Sequence, residues 1–286
     1  YIASTDTYIE KDASINDEID KAFMSDWGVT YSAILQVLYC CYVLAMKKRQ
    51  SIVELPEDDF YESIIDLCTE LNKDNIAKAL EHISLEKRPA YLTPPDGFEG
   101  KDIYPWIYNR ELSFLRRPIM KFQMEDGSAK VVFGFRSCLL AGLQLTDLLY
   151  SGRLRHVGKG IGKLLGKFED EKGSSFNEEV RGWLISNTSL KVWPYDVTIK
   201  PKGALKASDD LGDIDVLAYD DINHVLYSIE CKNTNTAKNV REMKKEMDDY
   251  LGRGDNPETD KKKALVLKHL RRHHWLKDNS EQLKTF

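Results

Sequence analysis

The stretch that most constrains this chain is Gly212–Asn233, GDIDVLAYDDINHVLYSIECKN. It reads as two β-strands joined by a tight turn. Residues 213–219 supply one strand, Asp220-Asp221-Ile222-Asn223 the turn, and residues 224–232 a second strand rich in Val, Leu, Tyr and Ile. Alternate residues of a strand share a face, so Asp213 and Asp215 point one way. Glu230 and Lys232 point together from the neighbouring strand, and Cys231 faces the opposite, buried side. Charges at every second position of an apolar strand are costly unless they have partners or a role.

This pattern gathers an Asp, a Glu and a Lys at one end of a sheet. Two carboxylates suit a hard divalent cation. Such a cation polarises a phosphoryl oxygen and acidifies water. A lysine beside it orients the attacking water or offsets charge in the transition state.

Gly212-x-x-Asp215 followed by Val216-Leu217-Ala218, then Glu230-x-Lys232 fifteen residues after Asp215, resembles the PD-(D/E)xK, or restriction-endonuclease-like, nuclease superfamily. The resemblance covers roughly residues 172–274. It implies a central mixed sheet flanked by helices, with Asp215, Glu230 and Lys232 as catalytic residues. Asp215 and Glu230 would hold Mg²⁺, with Mn²⁺ as an alternative. In the superfamily the first helix often adds a Glu three residues before a Val. Here that position is Asn177, a departure from the pattern. Glu179 is expected to take over as third metal ligand and catalytic residue, with Asn177 contacting a metal-bound water as the alternative.

With 286 residues the chain has room for one or two domains, and 42% hydrophobic residues suffice for a core. Net charge is −5, so affinity for nucleic acid must come from local basic patches. The five cysteines show no zinc spacing and read as reduced, buried thiols of a cytoplasmic protein. The chain begins at Tyr1 rather than Met, so a fragment is one reading, with an upstream targeting segment left open.

Three regions are expected. Residues 1–150 form a mostly helical accessory domain with one hairpin. Within it, residues 17–50 read as one helix, whose run Tyr31–Met46 is too short for a membrane span and reads as a core helix. Further helices follow over residues 57–71 and 72–85, after a short strand at 51–55. They are read as helical packing, with a helix-turn-helix as the alternative. Residues 89–105 read as a loop, residues 119–135 as a hairpin with an Asp-Gly turn, and residues 137–150 as a helix. Arg116-Arg117 read as a solvated pair, or as a phosphate contact.

Residues 151–172 read as a basic, Gly-rich linker that fits neither a dinucleotide fingerprint nor a Walker loop. Residues 173–286 form the nuclease-like domain. There Ser174 or Ser175 caps a helix with Phe176, Val180, Trp183 and Leu184 on its apolar stripe. Residues 191–200 form a strand interrupted by Pro194. Residues 236–251 form a helix with Val240, Met243, Met247 and Tyr250 or Leu251 facing in. The basic run 261–277 is a strand followed by other structure, or one helix. Its cations suit phosphate contacts, and Trp275 packs or stacks beside them. His269 and His273, four apart, lack a third zinc ligand.

The expected function is a metal-dependent nuclease, a DNA endonuclease of restriction, phage-defence or repair type. Its partners are nucleic acid and, through the N-terminal domain, a second copy or another protein. The alternatives are an inactive nuclease fold that binds nucleic acid or a partner, and a nuclease acting on RNA.

Overall fold

The computed structural model describes residues 13–88, 90, 92–105, 107, 110–232, 239–253 and 264–286. The fold is mixed α and β, and the chain divides into two compact units, Tyr1–Glu169 and Asp170–Phe286.

The first unit opens with α1 (Ala13–Trp27) and α2 (Tyr31–Lys48), which lie at 89° to each other. One helix was expected here. Gly28 breaks it by adopting a left-handed φ of 69°, and the Thr30 hydroxyl caps α2 by accepting from the Ala33 amide at 3.1 Å. Ile34, Val37, Leu38 and Cys41 of α2 are buried in the unit's core. No single helix among the described residues is long and apolar enough to cross a membrane.

Four strands follow: β1 (Ile52–Pro56), β2 (Ser84–Glu86), β3 (Ile119–Gln123) and β4 (Ala129–Gly134). They make one sheet in the order β1-β4-β3-β2, with β2 parallel to β3 and the other pairs antiparallel. The expected hairpin is β3–β4, with Gly127 at φ 83° in its turn. β2 was expected as the end of a helix. That helix ends sooner because Ser84 turns its hydroxyl back onto the Leu80 carbonyl at 2.6 Å. Helices α3 (Glu57–Leu67) and α4 (Lys73–Ile83) lie between β1 and β2 in sequence, and α5 (Gly100–Ile103) interrupts the proline-rich loop. α6 (Phe135–Tyr150) packs along α2, where the Tyr31 and Thr146 hydroxyls are 2.7 Å apart.

Arg116 and Arg117 are not a solvated pair. Their side chains are 6% and 11% exposed and pair with the buried Glu111 carboxylate. Local charge alone could not show this, because Glu111 reaches both arginines only through the fold of the loop.

Residues 159–172, expected as linker, are the first half of the 29-residue helix α7 (Lys159–Asn187). The Asp26 carboxylate accepts from the Gly160 and Ile161 amides at 3.2 and 2.8 Å. It thereby satisfies donors that a helix start leaves open. Gly158 serves close approach: a Cβ there would lie 2.5 Å from Asp26 Cγ. Ile161, Leu164, Leu165 and Phe168 bury the inner face of this turn-rich stretch. The division between the two units falls within α7, so Ser174 and Ser175 are interior to the helix and cap nothing.

The second unit contains β5 (Lys191–Val192), β6 (Val197–Ile199), β7 (Gly212–Ile214), β8 (Val216–Asp220) and β9 (Val225–Ile229). β5-β8-β9 form an antiparallel sheet, and β6 pairs antiparallel with β7. The expected strand over 213–219 is therefore two strands, broken at Asp215. The other hairpin strand stops at Ile229, one residue before Glu230. α8 (Val240–Leu251), α9 (Leu265–Asp278) and α10 (Ser280–Thr285) complete the unit. The basic run is thus helical from Leu265, and residues 261–263 lie outside the described residues, as do residues 236–238 of the expected helix. Trp275 packs against a small apolar cluster that includes Val197, Ile199 and Leu276.

Two apolar stripes differ from expectation. On α7, Leu184 is buried but Trp183 is 59% exposed. On α8, Val240, Met243, Met247 and Leu251 are exposed. The helical period is present in α8, but the half-buried positions are Glu242, Glu246, Asp248 and Tyr250. Periodicity marks an amphipathic face and cannot say which side the neighbours occupy.

Candidate active site

The break between β7 and β8 places the site. Gly212 has a left-handed φ of 83°, and its amide donates to Asp210 Oδ1 at 2.9 Å. β7 then pairs with β6 while β8 enters the other sheet, so the backbone bends at Asp215. The bend is held from both sides. Arg181 Nη2 donates to the Asp215 carbonyl at 2.6 Å, and the Cys231 amide donates to Asp215 Oδ2 at 2.7 Å. Cys231 itself is buried against Leu184 and Val216, as its strand position implied, and burial pushes its thiol up to about 11.

Asp213, Asp215, Glu230 and Lys232 line one cleft of about 460 Å³. The sequence-derived catalytic trio is thus brought together. The Lys232 ammonium lies 2.9 Å from Glu230 Oε1, and Arg272 Nη2 lies 2.7 Å from Glu230 Oε2. His269 stands further off, at 3.9 Å. The Arg272 contact is an ion pair without hydrogen-bond alignment, so Glu230 Oε2 is buried and keeps acceptor capacity.

Burial pushes the Asp215 carboxyl up; the Glu230 charge adds to this, while the Cys231 hydrogen bond and Lys232 oppose it. Burial pulls the Lys232 ammonium down. The Glu230 hydrogen bond and the Glu230 and Asp215 charges outweigh it, so the group sits above the usual lysine range. Lys232 is therefore a cation at neutral pH.

Charge in the cleft is balanced. Asp210, Asp213, Asp215 and Glu230 supply four carboxylates; Lys232, Lys268, Arg271 and Arg272 supply four cations. A divalent cation added to this set makes it net positive, which favours a phosphate.

Among the described residues no group of three or more His, Cys, Asp or Glu side chains is arranged to hold a metal. Of the four carboxylates in the cleft, Asp215 and Glu230 are the two hard donors that stand beside Lys232 at the strand ends. That set fits Mg²⁺, which keeps several waters and takes one or two carboxylates plus substrate phosphate. It does not fit a closed zinc site.

Glu179 is exposed and does not line the cleft. Asn177 and Arg181 are the buried polar residues of α7, four apart and on one face. The residue that α7 delivers to Asp215 is thus Arg181, whose Nη2 also contacts Asp196. Sequence reasoning missed it. The available signal was an arginine four residues after Asn177, followed by Leu184 on the same face. Arg272, one of the cations of the basic run expected to contact phosphate, pairs with Glu230 and lines the same cleft.

Comparison with known proteins adds a relationship that covers the whole chain and one that is local. A stretch of 75 residues is 41% identical to UvrABC system protein B of Clostridium acetobutylicum, covering 26% of this chain and 10% of that protein. The chain thus spans about a tenth of that relative's length. No solved structure matches. The family model described as "Anti-phage protein Upx-like" matches residues 5–286, nearly the whole chain and with it the residues of the cleft. On that match the chain belongs to the Upx-like anti-phage protein family.

Proposed function

We propose that the protein is a Mg²⁺-dependent nuclease of the PD-(D/E)xK type that cleaves DNA during phage defence. One observation carries the reading: Asp215, Glu230 and Lys232 line a single cleft at the bend between β7 and β8, beside the cations of α9. Membership of an anti-phage family supports the choice of invading nucleic acid as the substrate.

Asp215 and Glu230 would hold the metal. When bound, Mg²⁺ supplies a Lewis acid for a phosphoryl oxygen and lowers the pKa of water. Lys232, charged and within reach of Glu230, orients the attacking water and offsets charge developing on the phosphate. Arg181 fixes the Asp215 backbone and with it the direction of the carboxylate. Arg271 and Lys268 face the same cleft and bind the flanking phosphates. Arg272 neutralises Glu230, and would be released to contact phosphate were a divalent cation held by that carboxylate.

The test is a cleavage panel with plasmid, linear duplex, single-stranded DNA and RNA, with Mg²⁺, with Mn²⁺ and with chelator. Metal-dependent nicking or cleavage of DNA, lost in Asp215→Ala, is the expected result. Cleavage of RNA alone would move the substrate class. Binding in Ca²⁺ without cleavage of any substrate in Mg²⁺ or Mn²⁺ would make the protein a binding module and end the nuclease reading.

A further inference from the structure

The first unit holds a cavity of about 680 Å³ that the cleavage reading does not use. Its size lies within the ~300–1,000 Å³ of small-molecule sites. β2, β3 and the loop carrying α5 build its walls. Lys87, Arg88, Arg110, Arg117 and Lys121 contribute five cations to the lining, against the two carboxylates Glu81 and Glu86. That is an excess of three positive charges in a chain whose net charge is −5. Partners outside the lining trim the excess without removing it: Glu81 pairs with Lys78, while Lys121 pairs with Glu57 and Arg117 with Glu111.

Two guanidinium atoms here want acceptors. Arg88 Nη1 and Arg117 Nε are buried without a hydrogen-bond partner among the described residues. Such donors are few in native proteins, and each calls for an explanation such as an absent ion. Arg117 is held in place by the Glu81 carbonyl at 2.9 Å and by Glu111 at 3.4 Å, and its guanidinium lies over the Phe98 ring at 5.4 Å. It is a preset cation rather than a mobile surface group.

The remaining wall is aromatic. Phe98, Phe114 and Phe122 line the same cavity, and Phe114 is 57% exposed while Phe122 is 37% exposed. Phenyl rings left open at the mouth of a cationic cavity offer a stacking surface beside phosphate donors. That pairing selects a ligand that is both planar and anionic. We infer that this cavity binds a nucleotide, its base against the Phe rings and its phosphate on the arginines. The nucleotide is either free or an unstacked residue of a single strand. The site lies within the first unit and does not rest on the cleavage reading.

The test uses the full chain in chelator, so that no metal-dependent cleavage intervenes. Calorimetry measures binding of inorganic phosphate, of the mononucleotides, and of an unstructured single-stranded oligonucleotide. Arg88→Gln and Phe114→Ala are compared with the wild type, with Arg110→Gln replacing Arg88→Gln if the latter lowers the melting temperature. Nucleotide binding weakened roughly tenfold or more by each substitution is expected. If mononucleotides bind this way, the ligand is free nucleotide; if only the oligonucleotide does, it is a strand. Phosphate binding as tightly as nucleotide would reduce the cavity to an anion site and overturn the inference. So would the absence of binding in both arms, or binding that neither substitution changes.

Discussion

Two clusters of buried or half-buried charge stand one in each compact unit, and they do opposite things. Glu111, Arg116 and Arg117 form a closed set whose side chains are almost wholly removed from water. Asp215, Glu230, Lys232 and Arg272 form an open set along a cleft. In the first, the two guanidiniums share the Glu111 carboxylate, and burial pulls both their pKa values down, countered by Glu111. In the second, the Asp215 carboxyl is pushed up by burial, and the set lines a cleft of about 460 Å³. A carboxylate beside two cations is therefore not a site in itself. The strand break that turns a carboxylate toward open space makes the difference.

That contrast can be broken most sharply at its carboxylates. Asp215→Ala and Glu230→Ala should each reduce cleavage about a thousandfold or more, since the metal's contribution is worth several kcal/mol. Asp215→Ala should melt near the wild type, whereas Glu230→Ala should also lose stability, because the buried Arg272 guanidinium loses its counter-charge. Glu111→Ala should do the reverse: DNA cleavage persists in the folded fraction while stability falls by about 3–5 kcal/mol, because two buried arginines lose their counter-charge. Denaturant unfolding read beside a cleavage assay separates the two classes. Full activity in Asp215→Ala would erase the distinction between them.

A smaller effect is expected at Asp102, which is buried, accepts from the Glu99 amide at 2.9 Å and lies 3.0 Å from His156 Nε2. Burial raises its pKa, but the Glu99 and His156 hydrogen bonds and the His156 charge outweigh this and hold the carboxyl below the usual aspartate range. A carboxyl lowered in the fold stabilises the protein above its unfolded pKa, and that stability is lost as pH falls through the folded value. Asp102→Asn should therefore melt below the wild type at neutral pH, by about 1–3 kcal/mol of stability. The gap should narrow in melts taken at progressively more acid pH. A gap that stays constant to pH 3 would remove the ionised Asp102 from the account.

The smallest effects sharpen the roles of α7 and α9. Arg272→Gln should raise metal affinity several-fold by freeing Glu230, and should flatten the salt dependence of DNA binding by about 0.9 in log–log slope. A salt series in Ca²⁺ and a direct metal titration read the two quantities. Glu179→Gln should leave metal binding unchanged, because Glu179 is exposed and away from the cleft. Weakened metal binding in that variant would restore Glu179 as a ligand and displace Arg181 from the position assigned to it.

Much of the local structure was legible in the chain. The Asp126-Gly127 turn, the helix with acids after Pro56, the Pro194 interruption and the hairpin over 216–229 all follow from short-range rules. Asp215, Glu230 and Lys232 were legible too, since charge at alternate positions of an apolar strand demands a role. What could not be read was set by distant partners. Gly158 and Gly160 look like linker residues until Asp26, more than a hundred positions away, caps the helix they begin. Likewise, α8 shows its period without showing its outward side.

The sequence by itself therefore determined the spacing of Asp215, Glu230 and Lys232 and the alternation that marks them as a candidate site. Only the tertiary structure decided that the strand breaks at Asp215, that α7 delivers Arg181 rather than Glu179, and that Arg272 neutralises Glu230. The reason is physical. Strand alternation and helical period are properties of a few neighbouring bonds, whereas burial and ion pairing depend on which elements meet, and that choice is made by the whole chain at once.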